Sequence, residues 1–276
     1  MIALLAGCAT TRDFYDPQQR ITDATAYALS NREVRVDTGL LGTGVQDLGA
    51  NIDVAVGVGR GAQVSTNAAH LSLGIINAST KYTFVDRPRF GLGAQASFLW
   101  TRPTLIWLLP NEVTEPLKDI DLLIVPLELT ASFPLARWVS LHLGGGYTHA
   151  ELFGRIGNDA SYFNAGLGAR MVHLEPVVHF YLGNRVALIL GGEAPVYLAA
   201  VEQVRSDIEL EEGVVLGVRS AEWVAVPVGR AARGRLGVEL RLGRRAYLQL
   251  FVARSALSNA GGGPPVLPSI NAYWRL

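Results

Sequence analysis

From residue 52 to the last residue, apolar side chains recur at every second position, which is the period of a β-strand with one face against apolar matter. Ile52, Val54, Val56 and Val58 alternate with Asn51, Asp53, Ala55 and Gly57, and Phe90, Leu92, Ala94, Ala96, Phe98 and Trp100 with Gly91, Gly93, Gln95 and Ser97. Leu127, Leu129, Ala131 and Phe133 oppose Glu128, Thr130 and Ser132; Val139, Leu141 and Leu143 oppose Ser140, His142 and Gly144. Val172, Leu174, Pro176, Val178 and Phe180 oppose His173, Glu175 and His179, and Leu236, Val238 and Leu240 oppose Gly237, Glu239 and Arg241. Several runs reach the about 9–11 residues that a tilted strand needs to cross a hydrocarbon layer. Charge falls almost wholly on one face, so the other face meets something other than water.

Composition supports this. Charged residues make up 17% of the chain against roughly 25% in an ordinary soluble domain. Thirty glycines and 13 prolines weaken helix interiors and suit strands joined by turns. The most apolar stretch, residues 122–139, is interrupted by Pro126, Glu128 and Pro134, so the pattern offers no spanning helix. Net charge is zero and the basic residues are scattered along the chain. Nothing marks a phosphate-binding face, which argues against nucleic acid as a partner.

Connections alternate in length. Short breaks fall at 86–89, 134–137, 183–185 and 243–245, and longer polar ones near 59–66, 101–118, 150–160, 199–218 and 258–266. That alternation fits an all-β fold: a closed antiparallel transmembrane β-barrel of about ten strands (range roughly 8 to 12), an even number that returns both ends of the sheet to one side. The alternation changes phase between Ile75 and Tyr82, which reads as a bulge in one strand or a hidden second turn. Phe90, Phe133, Trp138, Phe180 and Trp274 stand beside the short breaks, and Trp100, Trp107, Tyr147 and Trp223 toward the long ones, as rings at two headgroup levels would.

The first 47 residues read differently. Met1 to Cys8 is a short apolar stretch ending in small residues before a single thiol, in the manner of a secretory signal, although no Lys or Arg stands before it. Residues 9–47 are polar and turn-rich, with a short helix expected over 21–29. Within them Glu33-Val34-Arg35-Val36-Asp37 alternates like a strand and fits an edge strand or part of a plug. The expected organisation is a signal segment over 1–8, a periplasmic segment over 9–47 and the barrel over 48–276.

Two resemblances follow from these residues. Leu5-Ala6-Gly7-Cys8 is similar to the lipobox of bacterial lipoproteins, which implies cleavage before Cys8 and acylation of its thiol. Residues 48–276, and above all the last strand Ser269-Ile270-Asn271-Ala272-Tyr273-Trp274-Arg275-Leu276, resemble bacterial outer-membrane β-barrels, whose final strand is read by the barrel-assembly machinery. Here the chain ends on Leu276, with the aromatic at Trp274. The resemblances imply a bacterial outer-membrane location with a periplasmic N-terminus, and lipid and the assembly machinery as partners; envelope-complex proteins, contacted by the long loops or residues 9–47, are a further expected class of partner.

The inward set Glu128, His142, His173, Glu175, His179, Glu193, Glu239 and Arg241 is expected to form a polar network filling the lumen, since an unpaired charge there would cost several kcal/mol. His142, His179 and Glu175 lie close enough in this scheme to act as acid and base, a second and less favoured reading. No G-x-S-x-G, H-E-x-x-H or phosphate-cradling loop occurs, so no catalytic residue, cofactor or metal is assigned. The first functional expectation is a structural or assembly role in an envelope complex. The alternatives are a narrow passive or gated conduit for a small solute and an outer-membrane enzyme using lumen His and Glu residues.

Overall fold

The computed structural model describes residues 20–40, 50–102, 119–157, 162–209, 215–220, 223–225, 228, 232–255 and 267–276. Its strands in chain order are β1 (Val34–Leu40), β2 (Ala50–Gly59), β3 (Ala62–Asn67), β4 (Ile75–Arg87), β5 (Phe90–Thr101), β6 (Asp119–Ala136) and β7 (Val139–Gly157). They continue with β8 (Tyr162–Tyr181), β9 (Val186–Glu209), β10 (Val215–Ser220), β11 (Trp223–Ala225), β12 (Arg233–Arg241), β13 (Ala246–Ser255) and β14 (Leu267–Arg275), and one short helix, α1 (Ala68–Ser72), precedes β4. Consecutive strands pair antiparallel from β1 to β10 and from β12 to β14. β9 holds β8 along one edge and β10, β11 and β12 in succession along the other, so those last three share one place in the wall. β1 pairs β14, with Val36 opposite Trp274, and the sheet closes into a barrel of twelve places. Closure leaves no edge with unpaired amides.

Twelve lies within the expected range, and the two places beyond ten have identifiable causes. Val34–Leu40 is wall, not tether: Arg35 and Asp37 are buried inward while Val34, Val36 and Thr38 between them are partly exposed, and the barrel boundary moves from residue 48 to 34. The second is β3. Gly59, Arg60 and Gly61 take φ of 94°, 51° and 76°, a left-handed run that compresses the expected long break at 59–66 into a tight hairpin. No phase change occurs between Ile75 and Tyr82, which alternate without a break inside β4; the turn lies before them, where the Asn67 side chain accepts from the His70 amide to cap α1 and Gly74 at φ 82° leads into β4. A bulge also exists, one place further on, between Thr83 and Val85. The breaks expected at 150–160 and 199–218 are shortened because β7 runs to Gly157 and β9 to Glu209.

The wall therefore has two unlike ends. Tight connections at 59–62, 87–90, 136–139, 181–186 and 241–246, together with the start of β1 and the end of β14, define a short-turn end, and the long connections lie opposite. β6 to β9, at 18 to 24 residues, stand well beyond a bilayer-crossing length on the long-loop side. The basic residues, scattered in sequence, gather in space: Arg32, Arg60, Arg87, Arg89, Arg137, Arg185, Arg244 and Arg245 are all exposed at the short-turn end.

Polarity is inverted relative to a soluble domain. Outside, Ile52, Leu129, Leu174, Leu190, Leu236 and Ile270 are exposed; inside, Ser132, Ser140, His142, His179 and Glu239 are at most 2% exposed. The aromatic pairs beside the short turns form as expected, with Phe90 against Phe133 at 5.4 Å and Trp138 stacked on Phe180 at 6.4 Å.

Candidate functional site: a plugged polar lumen

Residues 20–33 enter the barrel and run across its short-turn end. The expected helix over 21–29 does not form, because the backbone amides there bond to wall side chains instead of to carbonyls one turn back. Ala26 N donates to Ser132 Oγ at 2.8 Å, Ala28 N to Thr83 Oγ1 at 2.9 Å and Leu29 N to Gln63 Oε1 at 3.0 Å. Thr83 Oγ1 returns a bond to Ala26 O, and Lys81 Nζ donates to Thr22 O at 2.6 Å. Buried backbone must be paired, and β3, β4 and β6 of the wall share that task here.

Three inward glycines make room. A Cβ on Gly57 would lie 1.8 Å from Ser30 O, on Gly93 2.3 Å from Ala26 O, and on Gly91 2.7 Å from the Tyr27 ring. On the opposite wall Ile21 packs into an apolar cluster with Val177, Tyr181, Ala187 and Ile189. Ionic contacts fix the two ends of the segment: Arg20 forks onto Asp86 at 2.9 and 2.8 Å, and Arg275 binds Glu33 and the Arg20 carbonyl.

Arg35 on β1 is the hub. It grips Asp23 at 2.6 and 2.7 Å, Asp37 at 2.6 and 3.0 Å and the Thr22 hydroxyl, with its guanidinium 4.2 Å above the Tyr273 ring. Asp23 belongs to the inner segment and faces a cavity. Enclosure by protein pushes its carboxyl up, but Arg35 and Lys81 outweigh that effect and hold it below its ordinary value. Beyond it Gln249 Nε2 donates to Glu239 at 2.9 Å and Tyr273 OH to the same oxygen at 2.8 Å, while Tyr247 stacks on Tyr273 at 4.6 Å.

The expected lumen residues are found in three separate settings. Glu239 belongs to the Arg35 side of the barrel. Glu175 accepts from Arg235 at 2.6 Å, Glu193 lies 3.9 Å from Arg233, and Glu128 and His173 flank Gly146, whose missing side chain is what lets the His173 ring lie flat against β7. His142 and His179 do meet, rings 4.5 Å apart, but Glu175 does not join them. His142 instead bridges Ser132 and Ser140 at 2.8 Å each, and His179 contacts the Tyr181 hydroxyl at 3.3 Å. Both serines are fully buried, and Ser132 links the group to the Ala26 amide as a strut under the inner segment, while His179 also lines the cavity beside that segment.

Arg241 departs from the expectation: at the short-turn end it donates to the carbonyls of Gly243 and Arg244, closing its own turn. Cys8 lies outside the described residues. No group of three metal-ligating side chains occurs among the described residues. Sequence reading missed Asp23, Arg35, Asp37, Lys81, Arg235 and Gln249; the first three were passed over because the barrel was begun at residue 48, although the alternation of 33–37 already carried the signal.

The network does not fill the lumen. A cavity of about 350 Å³ remains above the inner segment, floored by residues 21–24 and reaching Asn51, Ser269 and Asn271 toward the long-loop end. Its acidic lining groups are Asp23, Asp37, Asp53, Glu128 and Glu175; its basic ones are Arg35, Lys81 and Arg235, an excess of two acids.

Ser132→Ala is expected to lower barrel stability by about 1–3 kcal/mol, because it strands the Ala26 amide and one His142 nitrogen in a dry interior. The urea midpoint in lipid vesicles checks this; an unchanged midpoint would show that the strut carries no stability.

No protein-family model and no curated protein matches this sequence. Among solved structures it is similar to the Pseudomonas putida toluene transporter TodX (9% identity, TM-score 0.41, covering 88% of this chain and 87% of that one). It is also similar to the CymD monoaromatic hydrocarbon channel (7%, TM-score 0.43, 99% and 96%). A third is the translocator domain of the autotransporter NalP from Neisseria meningitidis (10%, TM-score 0.41, 88% and 86%). These are distant likenesses between barrels, with no correspondence of residues.

Proposed function

We propose that this chain is a bacterial outer-membrane barrel that serves as a narrow, plugged conduit for a small cationic or zwitterionic solute, with its short-turn end and N-terminus toward the periplasm. The observation that carries the reading is the inverted polarity: an apolar exterior around a charged, partly open lumen whose one end is closed by a single inserted segment. Apolar side chains left in water forgo about 1.5–3 kcal/mol each, so a continuous belt of them calls for hydrocarbon. Inside hydrocarbon only a closed sheet pairs every backbone group.

The cavity supports transport better than a purely structural or assembly role. A barrel serving only as a scaffold gains nothing from a water-accessible interior lined by five carboxylates against three Arg and Lys side chains. The lipid anchor at Cys8 and an envelope-complex partner remain compatible with the conduit and are carried by the N-terminal sequence alone.

Planar-bilayer recording of the purified barrel under a salt gradient tests the reading. The expected result is small, infrequent openings whose reversal potential favours cations, with that preference reduced by Glu128→Gln. Anion preference, or neither conductance nor solute uptake even after the plug is displaced, would overturn it.

A further inference from the structure

The short-turn end carries a feature that the conduit does not use. Every tight connection presents an exposed arginine: Arg60 between β2 and β3, Arg87 and Arg89 between β4 and β5, Arg137 between β6 and β7, Arg185 between β8 and β9, and Arg244 and Arg245 between β12 and β13. Arg32 adds one beside the start of β1, so the ring is complete around the barrel. Among the described residues none of these eight forms an ion pair, and the two acids at this end, Asp86 and Glu33, are held by Arg20 and Arg275. In sequence, the opposite connections have the reverse bias: Asp47, Glu112, Glu115, Asp159, Glu211, Glu212 and Glu222 against Arg102, Lys118 and Arg230.

Each arginine stands one to three residues from an apolar side chain at the edge of the outer belt. Leu135 and Trp138 flank Arg137, Leu182 precedes Arg185, and Leu242 precedes Arg244; these apolar groups are 57–65% exposed. A ring of guanidinium groups set just beyond a band of leucine and tryptophan matches the depth order of a lipid leaflet, with phosphate outside acyl chain. The fork of an arginine suits a phosphate, which it can bind through two parallel hydrogen bonds.

We infer that the arginine ring at the short-turn end binds the phosphate headgroups of anionic phospholipids in the adjoining leaflet. The inference rests on the membrane reading above. It commits to lipid over a soluble acidic partner because the charges track the belt around the whole circumference, where a protein would need only one patch. With acidic connections at the far end, the same ring gives the barrel an electrical polarity along its axis.

The test uses the full chain reconstituted in zwitterionic phosphatidylcholine bilayers with traces of spin-labelled phosphatidylglycerol or phosphatidylcholine, and reads the motionally restricted lipid fraction. At about 0.05 M salt the anionic label is expected to associate about fivefold more strongly, and the preference to collapse toward parity near about 1 M salt. Combined Arg137→Gln, Arg185→Gln, Arg244→Gln and Arg245→Gln should abolish it, while Arg254→Gln, on β13 away from the ring, should leave it intact. Parity in the wild type, as a soluble acidic partner would give, overturns the inference, and so does a preference that survives the fourfold change. Inorganic phosphate should act no differently from chloride at equal ionic strength; if phosphate alone erased the preference, the ring would be a site for a soluble anion and the lipid inference would fall. A protein that restricts neither label has not entered the bilayer, which sinks the membrane reading and this one together, whereas parity after insertion sinks this one alone.

Discussion

Arg35→Leu is expected to lower the unfolding free energy of the barrel by about 3–5 kcal/mol and to free the inner segment. The side chain is 6% exposed and joins two carboxylates, one on the segment and one on its own strand. Removing it leaves Asp37 buried without a counter-charge, and leucine offers the Thr22 hydroxyl nothing in return. Because Asp23 faces the water-accessible cavity, its share of the penalty is smaller, and the effect belongs near the lower end of the range. Arg35→Lys should recover only part of the loss, since an ammonium cannot hold both acids in the fork geometry or lie flat on Tyr273. Guanidinium unfolding in vesicles measures the stability change, and limited trypsin digestion measures release: cleavage after Arg20, tied down to Asp86 in the wild type, should become rapid. An Arg35→Leu protein with an unchanged midpoint and a protected Arg20 would mean that the hub does not hold the plug.

The wall of this protein is legible in its sequence because wall residues report their surroundings locally. Val139, Leu141 and Leu143 face out and Ser140 and His142 face in, and that alternation needs no knowledge of partners. The inner segment gives no such signal. Its backbone is held by residues as far away as the 255 positions between Arg20 and Arg275, and the helical spacing within 21–29 points to a helix that these distant partners prevent. Glycines were ambiguous for the same reason: Gly57, Gly91 and Gly93 fall on the inner face in the alternation, but what they pack against appears only once the plug is in place. Pairing was partly readable. Glu193 sits directly across from Arg233 in the β9–β12 register, whereas Glu175 reaches Arg235 from another strand, and no local pattern distinguishes the two. The arginine ring escaped notice because its members are spread over five turns and the approach to β1, and only strict alternation of short and long connections carries them to one end.

Gly57→Ala is expected to open the conduit. The added Cβ would sit 1.8 Å from Ser30 O, 2.8 Å from Ser30 C and 2.9 Å from Leu29 O, all main-chain atoms, so no rotation of a flexible side chain can relieve the clash. Either β2 bends away, breaking its pairing with β1 and β3, or the inner segment moves. The segment is the softer choice, since near this point its main chain is held by the Leu29 bond to Gln63 and by the Arg32–Gly57 amide pair, whereas β2 is paired along its length on both edges. Overpacking of this kind costs about 1–3 kcal/mol, and if that cost falls on the closed state alone it raises the open population about tenfold or more. The expected readout is a matching rise in open probability in planar bilayers and in small-solute uptake by liposome swelling, with the strand signal in circular dichroism unchanged. Gly234→Ala is the control, because a Cβ there meets nothing within 4 Å, and its conductance should equal the wild type. Equal conductance for Gly57→Ala and Gly234→Ala, with both proteins folded, would mean that the segment crossing the lumen is a permanent part of the wall and not the plug of a conduit.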